Sequence, residues 1–262
     1  MNSNVVIVTA RGGSVSIPQK NLALVAGKPS VTYPILAGKN AARIRQVFVF
    51  TDCERIAAVA KELDCQVIKR PKELCGPEVN HGDAICTAID EVRKHFSDLN
   101  IVTVLLGDTV MVNARLIDLS VEILERAPQW HSVMSVWQAH DDHPFRALCL
   151  SEDGGLRSFL ESKYKERTTF HTARQTYPPV YFYDQGVWTF RAEVARRKEG
   201  PSPWWWMGKK VFPIIRRWIS GRDYHSELDL ELAEWWIKSG QSDVIDNGSE
   251  IQRLFGVHVP DA

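Results

Sequence analysis

The sequence predicts an α/β protein, three layers deep, built on a mostly parallel sheet with a small antiparallel insertion. Two observations carry that reading. Through the first half, apolar β-branched runs alternate with segments whose apolar residues recur at helical spacing, as parallel strands joined by crossover helices require. After residue 138 the rhythm changes to shorter, turn-separated runs, the pattern of antiparallel structure inserted into or added onto such a sheet.

The buried strands are read in order as "VVIVTA" (5–10), "QVFVFTD" (46–52), "CQVIKRP" (65–71), "IVTVLLG" (101–107) and "HSVMSVW" (131–137). Between them, "PSVTYPILAGKNAA", "ERIAAVAKELD", "GDAICTAIDEVRKHF" and "ARLIDLSVEILERA" read as helices. The later runs are "FRALCLSEDGGL", "PPVYFYDQGVWTFR" and "KKVFPII". A last helix, "SELDLELAEWWIKSG", presents Leu228, Leu230, Leu232, Trp235 and Trp236 as its apolar side and stops at Gly240.

At 262 residues the chain suits one domain, 1–262, and can bury a sizeable core. Its 32 basic and 32 acidic residues cancel, so no global field draws nucleic acid or an anionic membrane, and any anion must be held by a local site. No apolar run approaches the roughly 20 residues that span a bilayer, and "MNSNVVIV" lacks the plan of a signal peptide, so the expectation is a soluble cytoplasmic protein. Cys53, Cys65, Cys75, Cys86 and Cys149 form an odd set without CxxC spacing, the pattern of free thiols.

In a parallel sheet, ligands bind beyond the carboxyl ends of the strands. That rule singles out "ARGGS", "TDCE", "RP" and "GDT", each of which holds polar or conformationally special residues. "ARGGSVSIPQKNL" can cradle phosphate: Gly12 and Gly13 let the backbone approach oxygen atoms, Arg11 and Lys20 add charge, and Asn21 adds an amide donor. It spells neither GxxxxGK[ST] nor GxGxxG, and by spacing alone the glycine pair reads as an ordinary tight turn.

Those residues, followed by "AGKP", resemble the opening of the acylneuraminate cytidylyltransferases, the CMP-sialic acid synthetase family, with its pattern ARGGSKGIPxKN followed by xGKP. The resemblance continues in order over nearly the whole chain. Thr51 and Asp52 match a strand ending in STD, Arg70 and Pro71 match RP, and "HPF" (143–145) resembles HHP. "RQTYPPVYFYDQG" (174–186) resembles RQxxPxxYxxNG, and "DYHSELDLELAE" (223–234) resembles DIDTELDxxxAE.

The resemblance implies a Rossmann-like nucleotidyltransferase fold and an enzyme that joins CTP to a 2-keto-3-deoxy sugar acid, giving a CMP-sugar and pyrophosphate for glycan biosynthesis. Mg²⁺ would offset the triphosphate charge while the protein positions the reactants. By that analogy Ala10, Arg11, Gly12, Gly13, Ser14, Lys20, Asn21 and Arg70 hold the nucleotide. Asp83 matches a family acidic position and reads either as a helix cap or as a nucleotide contact. Arg146 and Arg174 would face the acid's carboxylate, with Gln175 and Tyr181 on its hydroxyl or acyl groups. Surface salt bridges and strand packing are the plainer reading of each. The segment 141–179 corresponds to the family's insertion, which reaches a partner subunit, so a homodimer is expected by analogy.

The departures carry information. The family's Lys after GGS is Val15 and its Gly is Ser16, so one phosphate contact is lost or supplied elsewhere. Where sialic acid enzymes have QPTSP, this chain has "GDTVM", similar to the metal-binding turn of CMP-Kdo synthetases. Asp108 would then hold Mg²⁺, with Asp223 as a second carboxylate. The next family Asp is His225, a poor Mg²⁺ ligand that could instead bond substrate, orient a water or act as the base on the sugar hydroxyl. Glu227 and Asp229 read as stabilisers of the last helix. "PSPWWWMGKK" reads as a packing loop or a sugar-stacking platform, since three successive tryptophans cannot all face one way. "KYKERTTFHTARQ" (163–175) reads as a solvated substrate loop rather than an RNA site.

The acceptor class spans sialic, Kdo-like, pseudaminic and legionaminic acids. Rival readings are a nucleotidyltransferase with another nucleotide or a phosphate or phosphonate acceptor, and a catalytically silent nucleotide-binding homologue.

Overall fold

The computed structural model describes residues 3–13, 17–160, 173–221, 224–241 and 243–259. Ser14, Asp223, Arg222 and the stretch 161–172 therefore lie outside the described residues, as does the side chain of Arg174.

The chain opens with β1 (Ser3–Thr9), a hairpin of β2 (Leu24–Val25) and β3 (Lys28–Pro29), and α1 (Thr32–Asn40). Next come β4 (Gln46–Thr51), α2 (Glu54–Glu62), β5 (Gln66–Lys69), α3 (His81–His95), β6 (Leu99–Leu106), α4 (Ala114–Arg126) and β7 (Ser132–Gln138). A ribbon of β8 (Leu148–Leu150) and β9 (Leu156–Ser158) precedes β10 (Tyr181–Arg191), β11 (Val211–Ile215), α5 (Glu227–Ser239) and α6 (Gly248–Phe255). The main sheet runs β11-β7-β10-β6-β1-β4-β5, and only β10 is antiparallel to its neighbours.

The expected architecture is present: a mostly parallel sheet covered on both faces, with one antiparallel strand inserted. Its cause is visible in β1, where every residue is buried and successive side chains serve opposite cores. Val6 and Val8 pack with Ile35 of α1 and Ile117 and Leu124 of α4, whereas Val5 and Ile7 pack with Ile85 and Ile89 of α3. β10 enters between β6 and β7 and bulges between Tyr183 and Trp188.

Ala26 and Gly27 of "AGKP" are the tight turn of the β2–β3 hairpin. Both have positive φ, 45° and 80°, as a two-residue primed turn demands. One expectation needs correction. The face α5 buries carries Asp229, Ala233 and Trp236, while Leu228 and Trp235 are exposed. Positions 229, 233 and 236 make one stripe at helical spacing and 228, 232 and 235 another, and the first is turned inward. Gly240 closes this helix as expected, and all five cysteines are free thiols.

Candidate active site

Three of the four strand ends singled out from sequence line one cavity, and the fourth, "TDCE", is tied to it through Asp52, which accepts from Gly12 N. Thr9, Arg11, Lys20, Asn21, Arg70, Gly76, Pro77, Val79, His81, Leu106 and Asp108 line a cavity of about 270 Å³ at the carboxyl ends of β1, β5 and β6.

At its polar end stands Asp108, buried just past β6 with its Oδ2 2.5 Å from Lys20 Nζ. Lys20 also donates to the carbonyl of Tyr224 at 3.3 Å, which ties the approach to α5 onto the first loop. Lys20 can hold this pose because the turn Lys20–Leu22 is clamped by Ser30, whose hydroxyl donates to the Lys20 carbonyl at 2.7 Å. Asn21 is buried and donates to the Arg11 carbonyl at 2.8 Å. Gly107 is the residue that allows this closeness: a Cβ there would stand 2.6 Å from Asn21 Oδ1 and 2.7 Å from the Cβ of Ala10. The "GD" turn thus serves two ends, space for Asn21 and a carboxylate for the cavity.

The cationic wall is pre-positioned. Arg11 donates to the Gly76 carbonyl at 3.2 Å, and Arg70 gives both Nε (2.9 Å) and a terminal nitrogen (2.5 Å) to the Leu74 carbonyl. Arg70 also lies over the Phe50 ring, and burial pushes its guanidinium down from the ordinary value. Between these arginines sits His81, the first residue of α3. Burial and the charges of Arg70 and Arg11 hold its pKa at about 4, so the ring is neutral at pH 7. Its Nε2 lies 3.3 Å from Thr9 Oγ1.

Several predicted residues sit differently from expectation. The Gly12 N–H does not point free into a cradle, because the Asp52 carboxylate accepts it at 2.8 Å. Gly13 is exposed, and Ala10 is buried beneath Gly107. The cap of α3 is Asn80, whose side chain accepts from Gly82 N, and Asp83 is exposed and outside the cavity lining. His225 is exposed and likewise absent from the lining. Asp229, by contrast, forms the expected helix start as half of a capping box with Ser226.

Of the residues expected to meet the acid, Arg146, Gln175 and Tyr181 are outside the lining of this cavity. Gln175 lines a second cleft of about 200 Å³ with Gln138, His140, His143, Tyr177 and Pro178. His143, the first residue of "HPF", is structural here: its Nδ1 accepts from Phe145 N and its Nε2 contacts the Pro178 carbonyl at 3.1 Å. Arg146 is exposed and paired with Asp141 at 3.1 Å, and Tyr181 stands partly exposed on β10 opposite Gln138. The tryptophans are a packing loop: Trp206 is buried against His81 and Trp188, and Trp204 packs on Tyr183.

The residues that sequence reasoning passed over are Thr9 and His81. A strand-end Thr and a lone His at a helix start have no spacing signal. Only the fold brings them together.

Asp108 suits a hard divalent cation, since a lysine ammonium already rests on its buried carboxylate. Among the described residues no cluster of three or more His, Cys, Asp or Glu could hold a metal by itself. Such an ion would need substrate oxygens and water to complete its shell.

The sequence profile of a family described as "Cytidylyltransferase" matches residues 5–198. A 3-deoxy-manno-octulosonate cytidylyltransferase of Chlorobium chlorochromatii is 27% identical over 199 residues, 72% of this chain and 74% of that protein. A pseudaminic acid cytidylyltransferase of Campylobacter jejuni is 26% identical over 198 residues, 75% of this chain and 81% of that protein. Among solved structures, a CMP:2-keto-3-deoxy-manno-octonic acid synthetase complexed with CTP superposes with a TM-score of 0.65 at 14% identity, covering 91% of this chain and all of that one.

Proposed function

The chain belongs to the cytidylyltransferase family, and from that premise we propose that it activates a 2-keto-3-deoxy sugar acid as its CMP derivative, using CTP and Mg²⁺. The observation that carries this reading is the Lys20–Asp108 pair inside a cavity walled by Arg11 and Arg70. A triphosphate needs cations, and its metal needs a carboxylate. The names of two relatives, which act on 3-deoxy-manno-octulosonate and pseudaminic acid, favour a nine- or eight-carbon keto acid over other acceptors.

In the reaction the acid's anomeric oxygen bonds to the α-phosphorus of CTP. The bond from that phosphorus to the pyrophosphate oxygen breaks, pyrophosphate leaves, and the hydroxyl proton passes to solvent water. Lys20 and Arg11 bind the phosphates, and Asn21 and the 76–81 segment orient the nucleoside. Asp108 and Asp223 would hold Mg²⁺, which supplies charge neutralisation on the phosphates when bound. On substrate entry Lys20 exchanges Asp108 for phosphate oxygen, so this pair is set up to part around the ligand. Arg146, Arg174, Gln175 and Tyr181 receive the acid. The leucines that the β8–β9 ribbon exposes favour a homodimer in which the partner covers this side.

The test is pyrophosphate release with Mg²⁺, scanning CTP, UTP, ATP and GTP against sialic, Kdo, pseudaminic and legionaminic acids. Acid-dependent release with CTP is the expected result. Silence across the panel while CTP still raises Tm would reject the acceptor class and leave a nucleotide-binding protein.

A further inference from the structure

His81 does more than fill the cavity wall. Its ring stacks on Trp206 (29° between planes, centroids 6.1 Å apart) and meets Trp188 edge-on (5.4 Å), so its plane is fixed. The tryptophan loop is itself locked to the start of α3: Trp205 Nε1 donates to Asn80 Oδ1 at 3.0 Å, the same oxygen that caps the helix. Thr9 sets up one tautomer: its hydroxyl has the Leu105 carbonyl as an acceptor at 3.5 Å, and with its one proton spent there it accepts from His81 Nε2–H at 3.3 Å. Nδ1 is left as a lone-pair acceptor with no hydrogen bond to a described residue, on a side chain that lines the cavity.

The segment that bears His81 adds Gly76, Pro77 and Val79 to the lining, Lys20 and Asp108 come from the first loop and the end of β6, and Arg11 and Arg70 flank the ring. The neutral ring with Pro77 and Val79 offers a flat surface that suits a nucleobase, while Lys20, Asp108 and the arginines that flank the ring suit phosphate or base oxygens. A half-buried acceptor in the base region welcomes an N–H and penalises a carbonyl. Cytosine carries an exocyclic amine where uracil carries an oxygen.

We propose that His81, held as the Nε2–H tautomer by Thr9, selects the base of the nucleotide by accepting a hydrogen bond at Nδ1 from the exocyclic amine of cytosine. The assignment rests on the reading of this cavity as the CTP site. It makes His81 a specificity-determining residue and Thr9 its positioning partner.

The test is binding of CTP, UTP and inorganic tripolyphosphate, with Mg²⁺, to the wild type and to His81→Phe and Thr9→Val. Phe keeps the aromatic packing and deletes the acceptor. The wild type should prefer CTP over UTP by about 10–100-fold, the cost of leaving one half-buried acceptor facing the wrong group. In His81→Phe that ratio should fall towards one through loss of CTP affinity, while tripolyphosphate binds within about twofold of wild type. Thr9→Val, which frees the tautomer without removing the ring, should narrow the ratio several-fold and serves if His81→Phe does not fold. An unchanged CTP-to-UTP ratio in a folded variant, or a wild type that does not discriminate, overturns the role of His81 alone. A wild type that binds neither CTP nor tripolyphosphate overturns the underlying reading of the cavity.

Discussion

The cavity beneath β1 and β6 and the segment between β7 and β10 are built by opposite means. In the cavity Asn21, Arg70 and Asp108 are 5%, 7% and 3% exposed, and each is fixed by a hydrogen bond or ion pair. In the later segment Arg146 rests on an exposed Asp141, and Leu148, Leu150 and Leu156 are at least 60% exposed. Buried, bonded groups lose little entropy when a ligand arrives, whereas an exposed pair is screened and contributes little. On the proposed function, the described part of the nucleotide half is therefore pre-organised within one chain. The proposed acid half is left for its substrate or a second copy to order.

The sharpest way to break this contrast is Asp108→Asn. Turnover should fall about 10²–10³-fold, the usual effect of removing one group that stabilises transition-state charge, with the fold intact by circular dichroism. Near-normal pyrophosphate release would remove Asp108 as a metal ligand and with it the claim that the cavity is catalytic.

Acid titration probes the same half. Because the folded-state pKa of His81 is about 4, below the ordinary 6.5, the unfolded chain takes up a proton that the native state refuses. The stability from His81 is thus present above pH 6.5 and lost as pH falls towards 4, by up to about 3 kcal/mol. Denaturant unfolding between pH 7 and 4 should show this loss, and His81→Phe should flatten it. An equal slope in both proteins would mean that the ring is as solvated as a surface histidine.

Gly107→Ala sharpens the contrast by crowding. The new Cβ would lie 2.6 Å from Asn21 Oδ1, so overpacking of about 1–3 kcal/mol and weaker CTP binding should appear together. Gly13→Ala, which meets nothing within 4 Å, is the control and should leave stability almost unchanged. Calorimetry with and without CTP measures both.

Much of this was legible from sequence because a parallel strand must be apolar along its whole length, as "VVIV" is, and because the polar residues that interrupt such runs collect at one end of the sheet. The buried face of α5 was legible only in part, since Trp236 is buried and Leu230 packs beside it as expected while Leu228 and Trp235 are exposed. Leu228, Leu230, Leu232, Trp235 and Trp236 announce an apolar helix, but two stripes compete, and what decides between them is the body of the domain that Ala233 and Trp236 touch. Nor could sequence show that Asp52 takes the Gly12 N–H, a bond across 40 positions. His81 was hidden for the same reason: its meaning comes from Thr9, Trp188 and Trp206, distant in the chain and adjacent in space. Pairings of this kind follow from topology, and local pattern does not encode them.

The smallest effect on the chain itself, and the most telling for the second half of the site, is expected from Leu150→Asp. Leu150 pairs with Leu156 across the β8–β9 ribbon, and both side chains are about 70% exposed. A charge placed there removes little buried area from the monomer, so stability should change by no more than about 0.5 kcal/mol. CTP affinity should likewise stay within twofold, since no ribbon residue lines the nucleotide cavity. If a second copy covers the ribbon, however, the carboxylate would be buried without a partner and association would fail. Sedimentation should then shift from dimer to monomer, with the KM for the acid rising and that for CTP steady. A wild type already monomeric at working concentration, or a dimer indifferent to Leu150→Asp, would mean that the exposed leucines serve no subunit contact, and the acid half of the site would have to be completed by the substrate alone.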